Sequence, residues 1–237
     1  MLINNYTSYA KINLGLRVLN KMENGYHNLY SLFIEVDLAD SLIFTSSSDF
    51  KLSADYAENI PLPLDTTNLI SQAYMLMRSE VDLVPSEYAI HLKKVIPLGS
   101  GLGGGSSNAA TTLNALNELW KLNLSQKYLE NIGTKLGADI PFFIKGGLQL
   151  AEGTGEKLTP QNDHALRELI FLLIAPPIHI STSEAYCALN KPLLPVENNS
   201  KFASLSKPVN WQLFDNDFEK VIRKTYPAIG DIIDNLH

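Results

Sequence analysis

Apolar and polar residues alternate along the first part of the chain, whereas further on the apolar positions recur at helical spacing. Alternation with β-branched content predicts strands over residues 6–19, 29–37, 41–45 and 50–53. Asn24-Gly25 marks a turn between the first two. Leu69, Ala73, Leu76 and Met77 share one face of a helix that starts after the polar Asp65-Thr66-Thr67. A strand is expected over 88–95 and helices over 106–120 and 125–137. "GADIPFFIKGGLQLAEGTGEKL" (137–158) reads as a turn, a short element and a strand. Residues 168–175 read as a buried strand stopped by Pro176-Pro177, with helices to follow over 183–189, 212–224 and 228–235. Strands first and helices later predict an α+β fold rather than a doubly wound sheet. The pattern breaks over 159–165, which sets expected domains at 1–160 and 161–237.

A chain of 237 residues with 45% hydrophobic content can bury a substantial core. Its net charge of −6, with no lysine–arginine stripe, argues against a nucleic-acid binder that works by neutralising phosphates. The one cysteine, Cys187, excludes an intramolecular disulfide, fits a reducing cytosol and is expected to pack as a helix thiol. The start "MLINNYTSYAKINLGL" lacks the basic and apolar regions of a signal peptide, and no run is apolar enough to span a bilayer. A soluble, cytoplasmic protein without a membrane partner is expected. Nothing in the sequence sets its oligomeric state.

The densest signal is "IPLGSGLGGGSSNAA" (96–110), where five of the seven positions from Gly99 to Gly105 are glycine. Glycine at this density belongs where backbone turns sharply or approaches something closely. The helix that follows would deliver free N–H groups and the positive end of its dipole to one point, which makes an anion site. A flexible loop or a tight helix–sheet contact is the alternative. A Walker A loop would end in Gly-Lys-Ser/Thr, and here Gly105 is followed by Ser106-Ser107-Asn108. Gly99-x-Gly101-x-x-Gly104 fits a dinucleotide fingerprint, but a second helix stands where that unit needs its second strand. Ser106 and Ser107 add hydroxyls suited to a nucleoside triphosphate or its magnesium, which favours phosphoryl over hydride transfer.

Three other stretches carry candidate chemistry. In "YAKINLGL", Lys11 and Asn13 share a strand face among apolar neighbours, as a functional pair or as an edge that deters aggregation. In "LGADIPFFIKGG", Asp139 is either a partly desolvated base or the N-cap of a helix beginning at Ile140-Pro141. Tyr26 and His27 in "NGYHNLY", with Phe33 beyond, could stack on a base or serve as ordinary packing.

Together these stretches resemble a known family. "PLGSGLGGGSSNAA" (97–110) looks like the phosphate-binding motif of the galactose, homoserine, mevalonate and phosphomevalonate (GHMP) kinases. "AKINLGL", "GYHNL", "LGADIPFF" and "AEGTGEKL" are similar to the branch acting on 4-diphosphocytidyl-2-C-methyl-D-erythritol, in the non-mevalonate route to isoprenoid precursors. The resemblance runs in order from residue 10 to about residue 190. It implies a two-domain α+β architecture with the active site in the inter-domain cleft. Asp139 would take the proton from the 2-hydroxyl, with Lys11 holding that carboxylate ionised and stabilising the transferred phosphoryl group. Asn13 would position the substrate, while Tyr26, His27, Phe33 and Tyr186 would line a cytidine pocket. ATP phosphates, bridged by Mg2+, would lie on Pro97, Gly99, Ser100, Gly101, Leu102, Gly103, Gly104, Gly105, Ser106 and Ser107, with Asn68 and Lys94 on the same side. Ser181-x-x-Glu184 matches a capping box that puts Tyr186 in the first turns of a short helix.

A homoserine- or mevalonate-type kinase would share the glycine loop but has no need of "GYH" or Tyr186; a truncated nucleotide-binding module would transfer nothing. Family members continue past the equivalent of His237 and carry a third glycine-rich motif, whereas here Gly230 is the sole glycine after Leu158. The resemblance therefore implies an incomplete C-terminal domain: either this chain is part of a longer one or the protein is truncated, and a chain that ended at His237 is expected to have weak stability and poor or absent ATP turnover.

Overall fold

The computed structural model describes residues 3–23, 25–57, 61–81, 86–162, 166, 169–176, 178, 180, 182–189, 211 and 214–236. Elements follow in the order β1 (Ile3–Lys21), β2 (His27–Ser47), β3 (Lys51–Tyr56), α1 (Leu69–Ser79), β4 (Glu87–Lys94), α2 (Gly104–Leu119), α3 (Gln126–Gly133) and α4 (Ile140–Lys145). They continue through β5 (Leu148–Gly153), β6 (Lys157–Pro160), α5 (Thr182–Leu189), α6 (Phe218–Thr225) and α7 (Pro227–Asp234). This is the α+β order expected. α3 stands after α2, where a dinucleotide fold would need a strand.

Grouped by contacts, the chain forms two compact units, Met1–Ile12 with Glu35–Gly146 and Asn13–Ile34 with Gly147–His237. This division differs from a single cut at 160/161, because the long strands β1 and β2 each contribute to both units. β2 is continuous where two strands were expected, since 38–40 hold no glycine, proline or asparagine that would break the extended run.

In the first unit, β2 pairs antiparallel with β4 (Ser41↔Lys93 to Ser47↔Glu87), and β3 runs parallel to β4. Phe44, Leu42, Ile90 and Leu92 line its core, and α1, α2 and α4 bury Ile70, Tyr74, Leu113, Leu116 and Phe142. Asn68 caps α1 by accepting from the Ile70 N–H (2.9 Å), and Ser125 caps α3 by accepting from Tyr128 (3.2 Å).

In the second unit, β2 pairs with β5 (Leu29↔Gly153 to Ile34↔Leu148) and β5 with β6. Residues 215–217 run beside β1: Leu16 N–H donates to Asp215 O (2.9 Å) and Asp217 N–H to Leu16 O (2.8 Å). That tether delays the expected 212–224 helix to Phe218, residues 212 and 213 lying outside the described set. The buried strand expected over 168–175 is corrected. Residues 169–175 keep a period-two pattern, but Ile170, Leu172 and Ile174 face water and, among the described residues, no strand pairs with them. Cys187 is exposed on α5 rather than packed. Pro177 and Ser181, hence the stop and the cap placed on them, lie outside the described residues.

Candidate active site

Within the first unit, the glycine loop joins β4 to α2. Gly99, Gly101 and Gly103 have φ of 65°, 76° and 71°, the left-handed region that side-chain-bearing residues rarely adopt. Alternating hands along a backbone turn successive N–H groups inward, forming a concave nest for an anion. Gly103 is also the N-cap of α2, and an added Cβ there would lie 2.7 Å from Phe143 Cζ and 3.2 Å from Lys11 Cγ. Ser107 N–H closes the first helical bond onto Gly103 O (2.8 Å), which leaves the N–H groups of Gly104, Gly105 and Ser106 as the open end of α2. Loop and helix end together suit a polyphosphate.

The loop is also tied to Lys11, whose N–H donates to Leu102 O (3.0 Å). The Lys11 side chain is buried, and its Nζ lies 3.7 Å from Asp139 Oδ2. Burial lowers the Lys11 pKa below its ordinary value, with the Asp139 carboxylate pulling the other way. Asp139 does occupy the N-cap position of α4, yet its side chain makes no capping hydrogen bond. The carboxylate, 38% exposed, turns to Lys11 instead. A carboxylate open to incoming substrate, beside a buried ammonium and a phosphate nest, is suited to taking a proton from a hydroxyl while charge moves onto a phosphoryl group.

Three other residues expected on the nucleotide side have partners within the protein. Both polar atoms of Asn68 are in use, Oδ1 on the Ile70 N–H and Nδ2 on Pro63 O (2.6 Å). Ser107 is buried, with its hydroxyl 2.7 Å from that of Ser8. Lys94 Nζ lies under the loop and donates to Asp40 Oδ2 (2.7 Å) and Ile96 O (2.6 Å). Sequence reasoning passed over Asp40, although the signal was present. Asp40, Leu42 and Phe44 fall on one buried face of an alternating strand, where a carboxylate needs a reason.

The second unit gathers aromatic rings. His27 and Tyr186 stack with centroids 5.1 Å apart and planes at 16°, and Phe218, another residue the sequence did not flag, meets Tyr186 edge-on at 4.9 Å. Burial and the nearby Lys21 charge lower the His27 pKa, so its ring favours the neutral form. Tyr26 is 66% exposed, Asn13 half-buried and Phe33 buried at 2%. Phe33 thus has a core position.

The profile described as "GHMP kinases N terminal domain" matches residues 68–147. Over 227 residues the chain is 40% identical to 4-diphosphocytidyl-2-C-methyl-D-erythritol kinase of Aliivibrio salmonicida, covering 94% of this chain and 74% of that protein. The kinase of the same name from Marinobacter nauticus is 37% identical over 231 residues, covering 97% of this chain and 77% of its own length. A crystal structure of 4-(cytidine 5'-diphospho)-2C-methyl-D-erythritol kinase superposes with a TM-score of 0.73 at 30% identity, over 97% of this chain and 81% of that one. Identity of this order, held across nearly the whole chain and matched by the fold, shows that it belongs to the 4-diphosphocytidyl-2-C-methyl-D-erythritol kinase family of the GHMP kinases.

Proposed function

We propose that this protein transfers the γ-phosphoryl group of ATP to the 2-hydroxyl of 4-diphosphocytidyl-2-C-methyl-D-erythritol, in the cytoplasm. The observation that carries the chemistry is the uncapped Asp139 carboxylate facing buried Lys11, in the same unit as the glycine nest. The carboxylate accepts the hydroxyl proton as the oxygen attacks the γ-phosphorus, and the bond from that phosphorus to the bridging oxygen breaks to release ADP. Lys11 offsets charge on the moving phosphoryl group. N–H groups of Gly104, Gly105 and Ser106 hold the phosphates, and Gly99, Gly101 and Gly103 shape the loop around them. Magnesium arrives with the nucleotide as part of the substrate. Among the described residues no group of three or more His, Cys, Asp or Glu is placed to hold a metal ion.

The acceptor is assigned through the rings. Cytosine is a flat π-face, and His27 and Tyr186, which stack on one another here, carry aromatic faces of the kind it stacks on. Asn13 on β1 and Tyr26, just before β2, offer polar groups to that substrate, and Phe33 is a buried residue of β2. The test is mass-spectrometric detection of ADP and phosphorylated product with magnesium-ATP, beside homoserine and mevalonate as rival acceptors. Asp139→Ala is expected to lose roughly 10²- to 10⁴-fold in rate. Phosphorylation of a rival acceptor, or an unimpaired Asp139→Ala, overturns the assignment.

A further inference from the structure

Asp40 takes no part in the chemistry above, yet its 1% exposure puts a carboxylate in the core of the first unit. A buried carboxylate is tolerated only where its lone pairs are filled. Here four donors fill them: Val95 N–H (2.7 Å) and Ile96 N–H (2.8 Å) on Oδ1, and Lys94 Nζ (2.7 Å) and Asn108 Nδ2 (2.8 Å) on Oδ2. These donors are not scattered. Val95 and Ile96 lead into the glycine loop, and Asn108 lies on α2, which leads out of it. Lys94 reaches the middle of the arrangement: its Nζ would be 2.9 Å from a Cβ added at Gly104, the first residue of α2.

The network also reaches β1. Asn108 Nδ2 donates to Ser8 Oγ (2.9 Å), and that hydroxyl shares a hydrogen bond with Ser107 Oγ. The first turn of α2 is thereby fixed in rotation about its axis, which sets where its open N–H groups aim. Stability alone gives no reason for this design, because an apolar pair of similar volume holds a core at least as well as a buried ion pair. Nor does an unbalanced carboxylate suit this place, since a negative charge under the phosphate-holding helix end would oppose an anion. Lys94 offsets that charge, while Asp40 keeps the acceptors that bind both ends of the loop.

We propose that Asp40 is the positioning residue of the phosphate loop, one carboxylate holding the loop's entry and exit so that the N–H groups of Gly104, Gly105 and Ser106 converge on the nucleotide. This rests on the kinase reading for the identity of the anion. It assigns Lys94 to Asp40 as a supporting cation rather than to a phosphate as a direct ligand.

The test measures the Kd of a magnesium-bound, non-hydrolysable ATP analogue and, separately, the KM for 4-diphosphocytidyl-2-C-methyl-D-erythritol. Two variants, Asp40→Asn and Asn108→Ala, are compared with wild type. Asp40→Asn turns an amide N–H toward the Lys94 ammonium and risks the fold. Asn108→Ala strands no charge and cuts the link from Asp40 to α2 together with the Asn108–Ser8 hydrogen bond. A merely structural network would lower the melting temperature and the active fraction and leave nucleotide affinity per folded molecule unchanged. The expected result for Asn108→Ala is analogue binding weakened about 10-fold or more, since small misplacements cost this much, with the acceptor KM unchanged. Unchanged analogue affinity in folded Asn108→Ala overturns the proposal, as does an equal rise in both constants. Wild type that binds the analogue without phosphorylating this acceptor sinks the acceptor assignment and leaves Asp40 standing. Wild type that binds no nucleotide sinks both.

Discussion

Lys11→Met should cost activity without costing stability. Methionine keeps most of the stem that packs against Gly103 and removes the ammonium. At 3.7 Å from Asp139, and with an effective dielectric of ~20, Coulomb attraction is on the order of 4 kcal/mol. It is worth less here, because the Asp139 carboxylate is 38% open to water while the Lys11 side chain is 6% exposed. Against it stands a desolvation cost of several kcal/mol for a buried ammonium. Attraction and cost come close to cancelling, so removing the charge is expected to leave stability unchanged or raise it by about 1 kcal/mol, a melting shift of roughly 2 to 4 °C upward. Turnover should fall about 10²- to 10³-fold, the usual effect of losing one preorganised charge at a transition state. The pH dependence supplies a second check. Burial places the folded Lys11 pKa below the ordinary value of 10.5, so between the two values the unfolded chain holds a proton the folded one lacks. Wild-type stability should therefore gain from this group as pH rises through that window, and Lys11→Met should lack the gain. Calorimetric melting and steady-state rates, on one preparation of each protein, decide the matter. A methionine variant that melts markedly lower, or one that keeps wild-type turnover, refutes the reasoning.

Asp139→Asn should lose turnover by about 10²-fold or more and also melt lower than wild type, because it removes the carboxylate that offsets the buried Lys11 charge; paired melting and rate measurements check this. Gly103→Ala combines a positive φ with a Cβ 2.7 Å from Phe143, and denaturant titration should show a loss of about 2 to 4 kcal/mol that Phe143→Leu restores only in part. Tyr186→Ala should raise the acceptor KM about 3- to 10-fold and leave the ATP KM alone, with Tyr186→Phe close to wild type, since stacking needs the ring rather than the hydroxyl.

Much of this was legible in the chain because the signals were local. Glycine spacing alone pointed to a loop and a helix start, and alternation placed β1 and β4 to within a few residues while splitting β2 into two shorter runs. The nature of Asp139 was not legible. Base and N-cap are equally consistent with "GADIPFF", and the lack of a capping hydrogen bond and the carboxylate's approach to Lys11 appear only once the chain is folded. Asp40 shows the converse case. Its inward register could be read from Leu42 and Phe44, but its meaning depends on Val95, Ile96 and Asn108, which the chain brings together only by folding. The segment around Ile170 misled for the same reason: an apolar alternation states a preference for strand, and a ladder needs a partner that no local pattern supplies.

The glycine loop itself shows why few residues could be exchanged here. Gly103 must be glycine for its φ, for the Phe143 ring against it and for the Lys11 stem beside it, three constraints from three elements. Gly104 must be glycine because Ile96 and Lys94 leave no room for a Cβ, a limit imposed from below by the same lysine that balances Asp40. Gly101, by contrast, has open space around it and is held to glycine by φ alone. The loop is therefore constrained from beneath and free above. That asymmetry suits an anion site, in which packing beneath the loop aims its N–H groups outward.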